Sequence, residues 1–226
     1  MLRNAFFALC GALALAGCVT PYPNTPLYQP PVYSEATVPP PGPNIYTTAP
    51  RAPFHADLFM CVNRGSNIGE IGMRGESARY TPYIQTSAGP LLRNPTETSC
   101  LSSGFGWRGL ANGGGRAHNG VDLANPNGGF VYAAGDGRVV SAGWRGGFGL
   151  VIELDHGSRV RTLYAHLNEI DPNLRPGAFI AAGAPMARMG MTGNATGVHL
   201  HYEVSVDGLL VDPLSYGAAF TEPPIY

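Results

Sequence analysis

The chain predicts an all-β domain of mostly antiparallel sheet with loops gathered at one end, and three observations predict it. Glycine (31) and proline (21) are abundant, which favours turns and strands over long helices. From about residue 100 onward, short apolar runs alternate with glycine-bearing turns, and no segment has the periodicity of a long amphipathic helix. In residues 196–206, Val198, Leu200, Tyr202, Val204 and Val206 alternate with polar residues at period two, which is a strand signal. With 13% charged and 44% hydrophobic residues, the composition fits one folded domain plus tails.

Taken in order, residues 130–134 form an apolar strand, Gly135-Asp136-Gly137 a tight turn, and residues 138–142 the return strand. Gly146-Gly147-Phe148-Gly149 turns the chain into a strand over 150–154, and Asp155-His156-Gly157 turns it into one over 159–167. Pro176-Gly177 and Ala182-Gly183 bracket a short strand over 178–180; another follows over 186–189. After the strand bearing His199, Gly208 turns the chain into residues 209–211.

The N-terminus differs in character. Arg3 precedes an apolar run over 5–16, then Gly17 and Cys18, so residues 1–17 read as a signal peptide too short to span a bilayer comfortably. Leu15-Ala16-Gly17-Cys18 resembles a bacterial lipobox, which implies cleavage before Cys18 and acylation of that cysteine. Two or more acyl chains anchor stably where one does not. The plainer alternative is an ordinary secretory signal with an incidental cysteine. Val19, rather than aspartate, favours the periplasmic face of the outer membrane by analogy with Gram-negative lipoproteins. Residues 18–53 are a proline-rich, nearly uncharged linker, an extended spacer with a reach on the order of tens of ångströms.

Residues 54–97 read as a flanking segment, 98–216 as the main domain and 217–226 as a tail. If Cys10 leaves with the signal and Cys18 is acylated, Cys61 and Cys100 remain as a disulfide candidate that would pin the flank to the domain. The formal net charge of -1 leaves no basic footprint, which argues against a nucleic-acid partner.

The chemistry-bearing residues cluster in four stretches. In a regular strand His199 and His201 share one face, with Leu200 and Tyr202 behind them. Two such imidazoles can face one metal ion or one substrate; alone, they are equally a half-exposed strand that happens to carry histidines. Partners are offered by His118-Asn119-Gly120-Val121-Asp122, by Tyr164-Ala165-His166-Leu167, and by the glycine-rich Ser102-Ser103-Gly104-Phe105-Gly106-Trp107-Arg108.

Together with Ala134-Gly135-Asp136-Gly137-Arg138-Val139, Pro176-Gly177 and His199-Leu200-His201-Tyr202-Glu203-Val204, these stretches resemble the lysostaphin/LytM-type zinc endopeptidases of peptidoglycan. The resemblance covers nearly all of residues 98–216, in the family's order. It implies a barrel-sandwich-hybrid type of fold with a substrate groove, zinc held by His118, Asp122 and His201, and catalytic roles for His166 and His199. Two imidazoles and a carboxylate make a three-ligand site with an open fourth position, the arrangement of catalytic zinc. No His-Glu-x-x-His motif is present, so a glutamate base on a helix is not the design.

The activity so implied is hydrolysis of amide bonds in peptidoglycan peptide cross-links, D-alanyl to meso-diaminopimelate in a Gram-negative cell, with glycyl-glycine bonds the alternative. A rival of another class is a LytM-like regulator that activates cell-wall amidases or engages division partners, which loss of metal ligands would mark. A wall-binding lipoprotein that holds stem peptides without cutting them is a third, and a version autoinhibited by residues 54–97 a fourth. Among the remaining residues, Val198 stands where the family often has proline, and Gly113-Gly114-Gly115 inserts a flexible loop before His118. Glu203 falls on the histidine face, where an exposed or arginine-paired carboxylate is the simplest expectation and support of a histidine the alternative. Tyr164 shares strand parity with His166, so it either reaches the site or packs. His55 and His156 read as surface or loop-fixing residues.

Overall fold

A computed structural model describes residues 46, 57–61, 78–79, 82–109 and 115–216. The signal peptide, Cys18, the linker apart from Tyr46, His55, Gly113, Gly114 and the 217–226 tail lie outside them. The strands are β1 (Asp57–Met60), β2 (Ala78–Arg79), β3 (Tyr83–Thr86), β4 (Gly89–Leu92), β5 (Cys100–Ser103), β6 (Gly106–Gly109), β7 (Gly115–His118) and β8 (Val121–Ala124). They continue with β9 (Phe130–Tyr132), β10 (Gly137–Trp144), β11 (Leu150–Asp155), β12 (Val160–Ile170), β13 (Phe179–Ile180), β14 (Pro185–Met189), β15 (His199–Val206) and β16 (Leu209–Val211). Among the described residues a 3-10 turn, Gly146–Phe148, interrupts the strands between β10 and β11.

The main sheet has the order β13-β10-β11-β12-β15-β8-β5-β1-β2, with β14, β9 and β16 attached to its side. Pairing among the described strands is antiparallel except for β1 beside β5. Hairpins β3-β4 and β6-β7 stand apart from it. Alternation sorts the side chains onto two faces. Leu200, Tyr202 and Val204 of β15 are buried with Tyr164 of β12, Ile152 and Leu154 of β11 and Leu123 of β8. Leu200 sits directly across from Leu123, and both are fully buried. Each such side chain contributes about 1.5–3 kcal/mol by leaving water. The opposite face carries His199, His201 and Glu203, next to a small apolar patch of Val151, Leu163 and Ala165 with Phe148 against it.

One local departure from alternation matters for the site. Between Tyr164, which pairs with Ile152, and Leu167, which pairs with Leu150, β12 has two residues where β11 has one. Ala165 and His166 are therefore a bulge opposite Val151, and His166 takes φ 60°, a left-handed conformation uncommon outside glycine. The bulge breaks the parity that would put Tyr164 and His166 on one face. Tyr164 stays in the core, its hydroxyl accepting from the Ala134 N–H, while His166 turns to the histidine face.

Part of the flanking segment joins the same body. The sulfurs of Cys61 and Cys100 are bonded, linking the end of β1 to β5. The Leu92 N–H donates to the Ala134 carbonyl, the Tyr202 hydroxyl donates to the Leu92 carbonyl, and the Arg93 guanidinium donates to the carbonyls of Pro213 and Tyr216.

Candidate metal centre

Four segments bring the site together. Asp122 in β8 lies directly across from His201 in β15. His118, the last residue of β7, reaches them around a two-residue corner. That corner needs Gly120: a Cβ there would stand 2.3 Å from the Tyr202 carbonyl oxygen, so no side chain fits between the corner and β15. The bulged β12 supplies His166, and the start of β15 supplies His199.

The ligand atoms of His118, Asp122 and His201 converge, and all three residues are buried. His118 Nε2 is 3.0 Å from Asp122 Oδ1 and 3.0 Å from His201 Nδ1; His201 Nδ1 is 2.8 Å from Asp122 Oδ1. The second nitrogen of each ring decides what this triangle can hold. His118 Nδ1 lies 2.6 Å from the Gly104 carbonyl, which only accepts, so Nδ1 carries the proton. His201 Nε2 lies 3.0 Å from Glu203 Oε1 and donates to that carboxylate. With both tautomers fixed this way, neutral rings present bare lone pairs at His118 Nε2 and His201 Nδ1, aimed at a carboxylate oxygen. Three acceptors that close together require a cation among them, so the residues fit a metal ion.

Protonation shows the same demand. Burial disfavours a charged His201, but hydrogen bonds to Asp122 and Glu203 and their charges outweigh it and push its pKa up to about 9. Burial likewise works against ionised Asp122, yet the hydrogen bonds from His118 and His201 hold its carboxyl well below the usual range. Neutral imidazole and carboxylate donors in a three-ligand set are the chemistry of catalytic zinc.

His166 and His199 flank this triangle, with ring centroids 4.8 Å apart; His166 is 5.9 Å from the His201 ring. His166 Nδ1 donates to the Thr192 carbonyl at 2.8 Å, and His199 Nδ1 donates to the Gly197 carbonyl at 2.8 Å. Each ring thereby keeps an acceptor Nε2 on its other edge, and that of His199 lies 3.7 Å from Asp122 Oδ1. Burial is the main force lowering the His166 pKa, so this ring is neutral near pH 7 and ready to take a proton. Thr192 is held by its hydroxyl, which donates to the Leu167 carbonyl at 2.6 Å and accepts from the Leu150 N–H at 3.0 Å, and Gly149 and Gly193 leave room for it. A Cβ on Gly193 would meet the Gly147 carbonyl oxygen at 2.4 Å, and Gly193 also has φ 71°.

The five residues singled out from sequence thus come together at one place. Two further residues contribute: Glu203, for which support of a histidine is the alternative expectation from sequence, and Arg108, for which no individual role is expected. Glu203 is buried and bonded to His201, not exposed or arginine-paired; the signal was its parity with His201. Arg108 donates from Nη2 to Asp122 Oδ2 at 2.7 Å, a contact between β6 and β8 that local pattern does not reveal. His156 lies away from the centre, bonded to the Asp136 carbonyl and Thr162, which is the loop-fixing role expected of it.

Residues 116–213 match Peptidase family M23. Over 103 residues the chain is 40% identical to the DD-carboxypeptidase/endopeptidase Mpg of Neisseria meningitidis, an alignment covering 44% of this chain and 23% of that protein. It is 38% identical over 97 residues to the peptidoglycan DD-endopeptidase ShyB of Vibrio cholerae, covering 43% of this chain and 22% of that protein. The chain therefore spans less than a quarter of the length of these two curated relatives. A solved zinc-containing peptidase from Vibrio cholerae superposes with a TM-score of 0.52 at 29% identity, over 62% of this chain and 47% of that one. This likeness agrees with the all-β architecture expected from the glycine-punctuated strands.

Proposed function

We propose, from the match of residues 116–213 to Peptidase family M23 and from the site they build, a zinc-dependent endopeptidase that hydrolyses amide bonds in peptidoglycan cross-links. The bond we assign is D-alanyl to meso-diaminopimelate. The observation that carries this reading is the convergence of His118 Nε2, Asp122 Oδ1 and His201 Nδ1 with both ring tautomers set by outer hydrogen bonds. None of the ligands whose loss would mark a non-catalytic amidase regulator is missing.

His118, Asp122 and His201 would hold the zinc. Bound there, zinc supplies a Lewis acid for the scissile carbonyl and makes a water acidic near neutral pH. The protein's own groups do the rest. Neutral His166 offers its Nε2 lone pair to a proton coming off water, and in its protonated form it returns that proton to the leaving amine. The neighbouring His199, fixed through Gly197, is placed to hydrogen-bond the reacting groups beside it. Glu203 keeps Nε2 of His201 protonated, which reserves Nδ1 for the metal.

The same proposal places the protein at the periplasmic face of the outer membrane, acylated at Cys18 and held off the bilayer by residues 18–53. The test is digestion of isolated sacculi by the purified protein, with the released muropeptides separated and weighed. Zinc-dependent loss of D-alanyl-diaminopimelate dimers is expected. Intact dimers in the presence of zinc would overturn the reading.

A further inference from the structure

Next to the metal centre, on the same face of the sheet, lies a depression of about 220 Å³ lined by Arg145, Glu153, Arg161, Leu163, Glu203 and Ser205 among others. Strand register fixes where it is. His201, Glu203 and Ser205 alternate along β15; Glu203 sits across from Leu163, Leu163 from Glu153, and Ser205 from Arg161. The depression therefore begins one same-face step beyond the metal ligands, about 7 Å along the strand. The apolar strip of Phe148, Val151, Leu163 and Ala165 borders both, with Ala165 across from His201 and Leu163 lining the depression. A volume several times the ~30 Å³ share of one water has room for a small organic end group.

Its charges are arranged in opposition. On one side, Arg145 Nη2 donates to Glu153 Oε2 at 2.8 Å and to Ser141 Oγ at 2.7 Å. Those contacts orient the guanidinium and leave its Nη1 and Nε donors without a partner among the described residues. Glu153 also accepts from Arg161 at 3.3 Å, so one carboxylate holds two guanidinium groups together. On the other side, Glu203 uses Oε1 for His201, and its Oε2 accepts nothing from the described residues. An anion belongs at Arg145 and a cation at Glu203, with apolar Leu163 beneath.

We infer that this depression is a specificity subsite for the ammonium-carboxylate end of a diamino dicarboxylic acid in the stem peptide. Its carboxylate pairs with the Arg145 guanidinium and its ammonium with Glu203. The inference rests on the reading of the neighbouring centre as the place where stem-peptide amides are cut. Chemistry selects which residue of the cross-link enters. In the donor strand, the diamino acid just before the scissile D-alanyl bond keeps both a free ammonium and a free carboxylate on its side-chain end. The D-alanine methyl then lies over the apolar strip, and the preceding residue reaches the depression within one strand step. Arginine suits the carboxylate because its planar fork gives two parallel hydrogen bonds. The Glu203 side chain is 11% exposed and that of Arg145 41%, so a ligand lacking the carboxylate forfeits a partly screened pairing, enough for discrimination on the order of tenfold.

The experiment compares the full chain with Arg145→Gln and Arg145→Lys on paired probes. Soluble cross-linked muropeptide dimers are offered with the donor diaminopimelate carboxylate either free or amidated, and kcat/KM is measured with zinc present. Binding of a diaminopimelate-containing stem tripeptide and its lysine counterpart is measured by titration in parallel. The wild-type chain is expected to favour the free carboxylate by at least tenfold. Arg145→Gln is expected to bring that ratio to within twofold, and Arg145→Lys to an intermediate value. The tripeptide with the free carboxylate is expected to bind more tightly than the lysine form to the wild-type chain only. Cleavage of both dimers at one ratio in all three proteins would overturn the subsite and leave the endopeptidase reading standing. Selective tripeptide binding that depends on Arg145, with no cleavage of any dimer, would sustain the subsite and overturn the endopeptidase reading.

Discussion

Arg108 donates from Nη2 to Oδ2 of Asp122 at 2.7 Å, on the carboxylate oxygen that His118 and His201 leave free. The contact fixes the rotation of the carboxylate so that Oδ1 faces both imidazoles. Removing an outer partner of this kind costs about 10–100-fold in metal affinity or activity. Arg108→Gln should therefore weaken zinc binding by that factor, read by competition against a chelating dye. Wild-type affinity in Arg108→Gln would mean that Asp122 is oriented by its imidazole contacts alone.

The two histidines of β15 differ in their partners and should differ in their phenotypes. His201 bonds to both Asp122 and Glu203, whereas His199 Nδ1 bonds to the Gly197 carbonyl. His201→Ala should lose zinc and cleavage together. His199→Ala should keep zinc and lose turnover by about 10²–10³-fold, the usual cost of removing one hydrogen-bonding group at the reacting centre. Metal content and kcat measured on the same preparations separate the cases; a zinc-free His199→Ala protein contradicts the assignment.

The bond between Cys61 and Cys100 closes a loop of sequence separation 39. In the chain-entropy account such a cross-link stabilises by about 4 kcal/mol through the unfolded state. The double variant Cys61→Ser, Cys100→Ser should lose stability on that order in urea unfolding, yet still bind zinc, since neither cysteine touches the centre. A loss below about 1 kcal/mol would show that β1 is held beside β5 by its other contacts.

Acid should destabilise the fold partly through His156. Burial depresses its pKa below the ordinary value, against smaller opposing effects from the Asp136 carbonyl and the Asp155 and Asp136 charges. The unfolded chain therefore binds this proton more readily than the folded one. The stability it contributes is complete above about pH 6.5 and is lost as pH falls from there through the folded pKa. His166 is depressed in the same sense and adds to the slope. Between about pH 7.5 and about pH 5.5, the unfolding midpoint of His156→Gln should fall less than that of the wild-type chain. Parallel pH slopes for the two proteins would remove His156 from the account.

Much of this was legible in the sequence because it was written at short range. The period-two alternation of 198–206 placed Leu200 and Tyr202 in the core and His199 and His201 on the other face, as the structure has them. Glycine turns marked the strand ends to within a few residues. What was hidden depended on non-local geometry. The parity of Tyr164 and His166 was read as equal because a bulge opposite Val151 leaves no local trace. Arg108 reaches Asp122 from a separate hairpin, and Arg145 meets Glu203 in one depression only after β11, β12 and β15 align. Glu203 shared a face with His201 in plain view, but its burial, which turns it from a solvated carboxylate into a partner of that ring, is a property of the assembled sheet.

The most direct test of the central claim follows one preparation through metal removal and return. Zinc content and cleavage of D-alanyl-diaminopimelate dimers are measured as purified, after chelation and dialysis, and after zinc is restored. The account predicts a single zinc ion per chain, loss of cleavage with loss of the ion, and recovery of both together, with no recovery in His118→Ala. Cleavage that persists in the metal-free protein would contradict it.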